Sequence, residues 1–398
     1  GGIISKTAPT VVGPVGGEGG SASGVWTLEQ AEWYISQGLW PKPLIPKQLW
    51  SWGYNNYGQL GLNNTTYYSS PKQVGALTTW SSVSCGQYHT VSIKTDGTLW
   101  SWGRNISGQL GLNNTTSYSS PKQVGALTTW LSVSCGIYNT VSIKTDGTLW
   151  SWGNNGSGQL GLGNTTSYSS PKQVGALTNW LSVACGRYHT VSIKTDGTLW
   201  SWGRNNYGQL GQGNVTNYSS PKQVGALTNW SSVSGGSYHT VSIKTDGTLW
   251  SWGRNNRGQL GLNNITNYSS PKQVGALTNW LSVSCGADSA VSIKTDGTLW
   301  SWGLNNNGQL GLNNTTYYSS PKQVGALTNW LSVSCGYSHT VSIKTDGTLW
   351  VWGNNGIGQL GLNNTTYYSS PKQVGALTSW TKLFKGCTAY FTLAIKSS

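Results

Sequence analysis

The amino-acid sequence predicts an all-β fold, a seven-bladed β-propeller preceded by a short helix, and three observations carry that prediction. Trp52, Trp102, Trp152, Trp202, Trp252, Trp302 and Trp352 recur every 50 residues, each in a Trp-Gly pair. Each 50-residue unit holds four strand-like pieces. The first copy begins at its third piece, and the last stops after its second. A fixed period of this length marks solenoids and propellers, and four strands repeated around a ring are propeller blades.

Taken in order, the first piece of a unit is WSSVSCG (80–86) and the second HTVSIK (89–94), both with a period near two. The third, TLWSWG (98–103), is joined to the second by Thr95-Asp96-Gly97. An Asp-Gly pair between strands is a strong hairpin signal, and the expected turn is type I′, with positive φ at both centres. The fourth piece is PKQVG (121–125), whose leading proline cannot donate to a ladder and so belongs on an outer edge. After the last second strand (391–396) no Asp-Gly turn follows. The final blade must therefore join C-terminal inner strands to N-terminal outer ones, which removes the open edges that invite aggregation. Three domains follow: a Gly-rich flexible linker (1–25), a short helical anchoring segment (26–48) and the propeller (49–398).

Composition narrows the function classes. The chain has 398 residues, with 24 Trp, 20 Tyr, 55 Gly, 2 Phe and no Met. Disordered chains are poor in aromatics and rich in charge, whereas here only 9% of residues are charged. No apolar run approaches the roughly 18 residues of a membrane-spanning helix, so no membrane insertion is expected. With 10 acidic residues against 24 Lys and Arg, most acid–base enzymes are hard to build. The missing Met points to processing or to cleavage from a longer precursor. Three Trp per copy, with Trp26, Trp33 and Trp40, account for all 24, so the aromatics are read mainly as blade core.

The unit WGxNxxGQLGLG…P..V…CG..HT..I..DG resembles the repeat of the regulator of chromosome condensation family, over residues 49 to 398. The resemblance implies a seven-bladed propeller. It implies less about function, because family members include a nucleotide exchange factor and a secreted β-lactamase inhibitor, and one fold hosts many functions. No copy carries an insertion comparable to the exchange factor's β-wedge.

Differences between copies fall in two windows. The first follows the third strand and includes Tyr54, Tyr57, Arg104, Ile106, Arg204, Tyr207, Arg254, Arg257, Leu304, Asn307, Asn354 and Ile357. The second follows the first strand's Cys-Gly and includes Gln87, Tyr88, Ile137, Tyr138, Arg187, Tyr188, Tyr238, Asp288, Tyr337 and Cys387. In an antiparallel blade the loops joining strands one to two and three to four leave on the same face. Neutral drift would scatter over both faces, so the one-sidedness favours a recognition surface. Tyr, Arg, Ser and Asn are also the residues of paratopes, rigid aromatic anchors beside adaptable polar groups. Most of the variants are reachable by changing the adenines of an Asn codon, which resembles the output of diversity-generating retroelements; Gln87 does not fit that pattern simply.

The remaining chemical candidates point away from catalysis. All five Arg lie in the variable windows, while most Lys are spread evenly round the ring. Sequence-specific nucleic-acid binding, which needs a basic stripe, is therefore not expected, whereas weak attraction to an anionic cell surface or an acidic polysaccharide is. Cys85, Cys135, Cys185, Cys285 and Cys335 share one blade position and read as small buried fillers. Cys387, in a variable loop, is the candidate reactive thiol. His89, His189, His239 and His339 lack an orienting acid and read as structural. The Asn-Asn-Thr-Thr segments match glycosylation sequons and turn chemistry equally well. No metal ligand set and no cofactor is expected.

Thr27 to Gln30 forms a capping-box pattern, with Leu28, Ala31 and Ile35 as a stripe and Gly38 and Pro41 as stops. So short a helix needs a docking partner; Trp26, Leu28, Trp33, Ile35 and Trp40 are the candidate anchoring residues. The stretch resembles short segments of marine tailed-phage structural proteins, which implies attachment to other virion proteins. The expectation is a non-enzymatic virion fibre, spike or decoration protein on the virion surface. Its variable face would bind a host cell-surface glycan or protein. The alternative is a secreted bacterial protein-binding or inhibitor propeller.

Overall fold

A computed structural model of the chain describes residues 45–397 and, before them, 11–12, 21–22, 32–34 and 36–37. The chain divides into two compact units, residues 48–396 and the two termini. In the terminal unit, Val11–Val12 pairs antiparallel with Ser21–Ala22, inside the stretch expected to be a linker. Residues 32–34 and 36 are helical, and the Gln37 N–H donates to the Trp33 carbonyl at 3.0 Å. The capping pattern and the anchoring residues Trp26, Leu28, Ile35 and Trp40 lie outside the described residues. Trp33 is 54% exposed.

Residues 48–396 build seven four-stranded antiparallel sheets, six of them running in chain order from axis to rim. One blade comprises Trp80–Cys85, His89–Lys94, Leu99–Gly103 and Tyr118–Gln123. The first strands line an axial cavity of about 270 Å³. The proline-bearing strand is outermost, paired on one side only, as a residue without an N–H requires.

The second strand is buried along its whole length, because neighbouring blades cover both of its faces. Its alternation separates two kinds of packing. Val91 and Ile93 join Trp130, Val133, Cys135 and Trp152 of the next blade in one apolar cluster. Thr90 and Ser92 are hydrogen-bonded instead, Thr90 Oγ1 to the Gln59 carbonyl at 2.8 Å and Ser92 Oγ to that of Ser82. Stacking thus satisfies the apolar side chains through the next blade and Thr90 through the preceding one, while Ser92 is satisfied within its own sheet.

Two of the three Trp per copy are core. Trp102 and its equivalents are fully buried and donate Nε1–H across the blade junction, as from Trp152 to the Gln109 carbonyl at 3.0 Å. Trp130 meets Trp152 edge to face at 5.9 Å. The third, Trp100, is only half-buried; Lys94 Nζ sits 3.7 Å from its ring centroid, a cation–π contact at the rim.

The hairpin turn differs from the expected type I′. Gly97 has φ +76°, but Asp96 is not in the positive-φ region. The Gly97 N–H donates to the Lys94 carbonyl and the Lys94 N–H to that of Thr98, each at 3.0 Å. This is a three-residue loop, a type I turn closed by a glycine bulge. Asp96 works as a side-chain cap, with Oδ1 accepting from the Thr98 N–H at 2.9 Å and from Thr98 Oγ1 at 2.6 Å. A Cβ on Gly97 would overlap the Thr128 carbonyl, whereas one on Gly125 would meet nothing. Gly97→Ala is therefore expected to cost about 1–3 kcal/mol and Gly125→Ala less, measured by urea unfolding.

The ring closes as expected. Its seventh sheet combines Trp380–Leu383 and Phe391–Ser397 with Lys47–Gly53 and Tyr68–Gln73. Here the repeat spacing breaks. Ser82 pairs with Ile93, but Lys382 pairs with Ile395, two residues later than the 50-residue period gives. Both Phe residues, Phe384 and Phe391, sit in this blade and are buried.

Candidate recognition face

The two variable windows meet on one face. The Tyr54 and Tyr57 rings, from the first window, lie 5.8 and 5.2 Å from Tyr88 of the second. Arg104 stacks over Tyr57 at 4.6 Å and over Tyr88 and Tyr138 at 5.4 Å. Backbone bonds couple the windows within each blade, as from the Arg104 N–H to the Tyr88 carbonyl at 2.9 Å and from Leu304 to Asp288 at 2.9 Å. Loops from adjacent blades therefore interdigitate into one continuous surface.

The expected site residues divide into two groups. Tyr54, Tyr57, Tyr88, Arg104, Tyr138, Arg187, Tyr188, Arg204, Tyr207, Tyr238, Arg254, Asp288, Leu304, Asn307, Tyr337, Asn354 and Ile357 are half-buried, and Ile106 and Arg257 are exposed. Gln87 and Ile137 are instead buried, at 5% and 2% exposure. They occupy the window position nearest the axis, where backbone bonds run from blade to blade: Ser237 N–H to Ala287 at 3.0 Å, and Tyr337 N–H to Ala389 at 2.8 Å. At this position Gln87, Ile137, Ser237 and Ala287 are packed near the axis rather than presented to a ligand, which corrects the reading of Gln87 and Ile137, whereas the longer Arg187 and Tyr337 stay half-buried.

Cys387 is corrected too. It is 1% exposed, its Sγ lies 4.0 Å from the Cys185 carbonyl, and burial pushes its thiol up to about 12. A thiol so protonated and enclosed is inert. The error came from register. The two-residue insertion makes Ala389 and Tyr390 the equivalents of Gln87 and Tyr88, since the Tyr54 N–H donates to Tyr390 as Arg104 does to Tyr88. Aligning FTLAIK with HTVSIK would have shown it.

Two sets of face residues were missed. Tyr390 stacks 4.8 Å from Tyr337 and 6.2 Å from Tyr88. A third variable position lies beyond the Asn-Asn turn and reads Tyr67, Ser117, Ser167, Asn217, Asn267, Tyr317, Tyr367. Tyr67 packs 5.0 Å from Tyr54, while Asn217 Oδ1 accepts from the Asn205 N–H at 2.7 Å. Comparison of copies past the turn holds this signal. The face is thus zoned, with a tyrosine platform around Tyr54, Tyr88, Tyr337 and Tyr390. Burial and neighbouring tyrosines push Tyr88 up to about 12, so it stays a hydroxyl donor at neutral pH.

Asp288 is the acid of the face. Burial raises its carboxyl above the usual carboxylate range, against the Arg254 and Arg257 guanidiniums that hold it down. Gln259 Nε2 donates to Oδ1 at 3.0 Å, and Arg254 Nη1 lies 3.9 Å away.

The histidines are fully enclosed. His89 Nε2 meets Thr140 Oγ1 of the next blade at 3.1 Å, and His339 meets Thr392 at 2.9 Å. Burial lowers each of the four to about 3, so they stay neutral; His89, His189 and His339 are blade-to-blade staples, whereas Ala290 stands where His239 would find the matching hydroxyl. Among the described residues, no three His, Cys, Asp or Glu side chains come together as a metal site would need. The sequon Asn64 is engaged in its turn. Its Nδ2 donates to the Leu62 carbonyl at 3.1 Å and its Oδ1 accepts from the Thr66 N–H at 3.0 Å. The preceding position has φ near +59°, which explains why it alternates between Asn63 and Gly163.

Models of the regulator of chromosome condensation repeat match residues 48–93, 96–143, 146–193, 196–243, 246–293, 296–343 and 346–395. The chain belongs to the regulator of chromosome condensation repeat family. Each family repeat spans the outer two strands of one blade and the inner two of the next, which is why the closing blade is shared between termini. Among solved structures, human WBSCR16 is similar at 22% identity and TM-score 0.78, covering 88% of this chain and 99% of that one. Prp20p from Saccharomyces cerevisiae, studied with its binding to Gsp1p and histones, is similar at 20% identity and TM-score 0.80, covering 89% and 92%. Yeast RCC1 (Prp20) bound to Kap60 gives 20% and 0.80, covering 89% of each. These likenesses establish the repeat-family propeller fold. No curated protein sequence matches the chain.

Proposed function

We propose that this repeat-family propeller is a non-catalytic recognition protein whose variable face binds a macromolecular partner. The observation that carries the reading is the confinement of all five Arg, and of most inter-copy variation in Tyr, Arg and Asn, to one face, where Arg and Tyr side chains stack together. Two features argue against catalysis: the buried histidines are neutral and the one acid of the face is spanned by arginines. That relatives in the family bind proteins such as Gsp1p, histones and Kap60 is compatible with an interaction role. The finer reading is host recognition by a virion component, with a cell-surface glycan or protein as ligand and the N-terminal segment held by other virion proteins. Its support is the resemblance of residues 26–40.

The test is binding of the purified chain to candidate host cells. Tyr54→Ala, Tyr207→Ala, Arg254→Ala and Tyr337→Ala are expected to weaken binding at least tenfold without changing thermal stability, while Lys172→Ala on the outer strand leaves it unchanged. Equal binding by all five would refute the reading.

A further inference from the structure

The recognition reading leaves the ligand open, and one arc of the face narrows it. Arg187, Arg204, Arg254 and Arg257 come from neighbouring loops, and alternate with tyrosines. Arg187 stacks 5.4 Å over Tyr188, and Arg204 lies 5.5 Å from both Tyr188 and Tyr238. Arg254 sits 5.7 Å from Tyr238 and 5.3 Å from Tyr207. Among the described residues one carboxylate, Asp288, approaches the arc, 3.9 Å from Arg254. Four guanidiniums are therefore held close together against a single acid.

We propose that this arc binds an anionic polysaccharide, a polymer bearing regularly spaced carboxylate or sulfate groups; the proposal rests on the recognition reading above. The chemistry of the arc selects such a ligand. A guanidinium offers a planar fork of donors that matches a carboxylate or sulfate two bonds at a time. Stacking on tyrosine fixes each fork before binding, so little side-chain entropy is lost. The forks stand as two pairs on adjacent blades, Arg187 with Arg204 and Arg254 with Arg257, which suits a polymer with repeated charge. Single-stranded nucleic acid needs free aromatic faces for its bases, and here guanidiniums cover those faces. A protein partner is anchored by large side chains in pockets, whereas the cavities described in this fold lie along the axis and at the outer blade junctions.

The experiment measures binding of the full chain to dextran sulfate, polygalacturonate, uncharged dextran, poly-glutamate and oligo(dT), at low and high salt. Expected are binding to the two acidic polysaccharides that weakens as salt rises and no binding to dextran. Arg204→Gln with Arg254→Gln should weaken it at least tenfold, Arg204→Lys with Arg254→Lys less, and Lys172→Ala on the outer strand not at all. Unchanged thermal stability of the variants shows that they fold. The proposal is overturned if the glutamine pair binds as the parent does, or if poly-glutamate or oligo(dT) binds as tightly as the polysaccharides. Host-cell binding that depends on Tyr54 and Tyr337 but not on the arc, with no acidic polysaccharide bound, would overturn this proposal and leave the recognition reading standing.

Discussion

A chain truncated after Tyr390 is expected to lose its cooperative fold entirely, not merely its last strand. The deletion removes Phe391, Leu393, Ala394 and Ile395, all fully buried in the cluster that joins the closing blade to both neighbours. Truncating one such side chain to alanine costs about 2–5 kcal/mol, so losing the strand exceeds the roughly 5–15 kcal/mol that holds a domain together. It also exposes the backbone edges of Trp380–Leu383 and Lys47–Gly53, which the deleted strand separates, and such edges recruit other chains. Circular dichroism and size exclusion should show an aggregated or partly folded chain. A soluble, cooperatively melting truncation would show that six blades suffice. The milder Phe391→Ala should cost about 3–5 kcal/mol and leave a folded ring at neutral pH.

The second large effect is acid lability. In the folded ring His89, His189, His239 and His339 bind protons only near pH 3, whereas in the unfolded chain they do so near 6.5. Below pH 6.5 the unfolded state holds more protons, so stability falls as the pH falls. At about 1.4 kcal/mol per pH unit for each group, four histidines remove roughly 5 kcal/mol per unit. A ring of ordinary stability should then unfold between about pH 4 and 5.5, read by urea titration across that range. Asn139 already fills the equivalent position, so His189→Asn with His239→Asn should halve the slope and shift acid unfolding to lower pH. A double variant with the parental slope would disprove the histidine origin.

What was legible in the sequence followed from chemistry repeated at short range. The 50-residue period, the Trp-Gly pairs, the Asp-Gly hairpins and the offset ends specify blades, their strand order and the shared closing blade, because each signal is local and recurs seven times. The one-sided placement of the variable windows was legible too, since strand direction alone determines on which face a loop leaves. The turn type was not. Asp96 keeps negative φ because its carboxylate is used on Thr98, leaving positive φ to Gly97 alone.

Tertiary structure decided what depends on partners far apart in the chain. The second windows of successive copies converge on the axis, and only that crowding buries Gln87 and Ile137 while Tyr88 one residue later stays half-open. Cys387 and Tyr390 exchange roles because cross-strand pairing, not residue count, sets register where two residues are inserted. The arginines are visible in the sequence, but their stacking on tyrosines of neighbouring loops, as between Arg254 and Tyr207, arises only when the ring closes. The sequence by itself determined the ring and the face that varies; packing across blade junctions decided which of those residues are fillers and which are held out, charged and rigid, for a ligand.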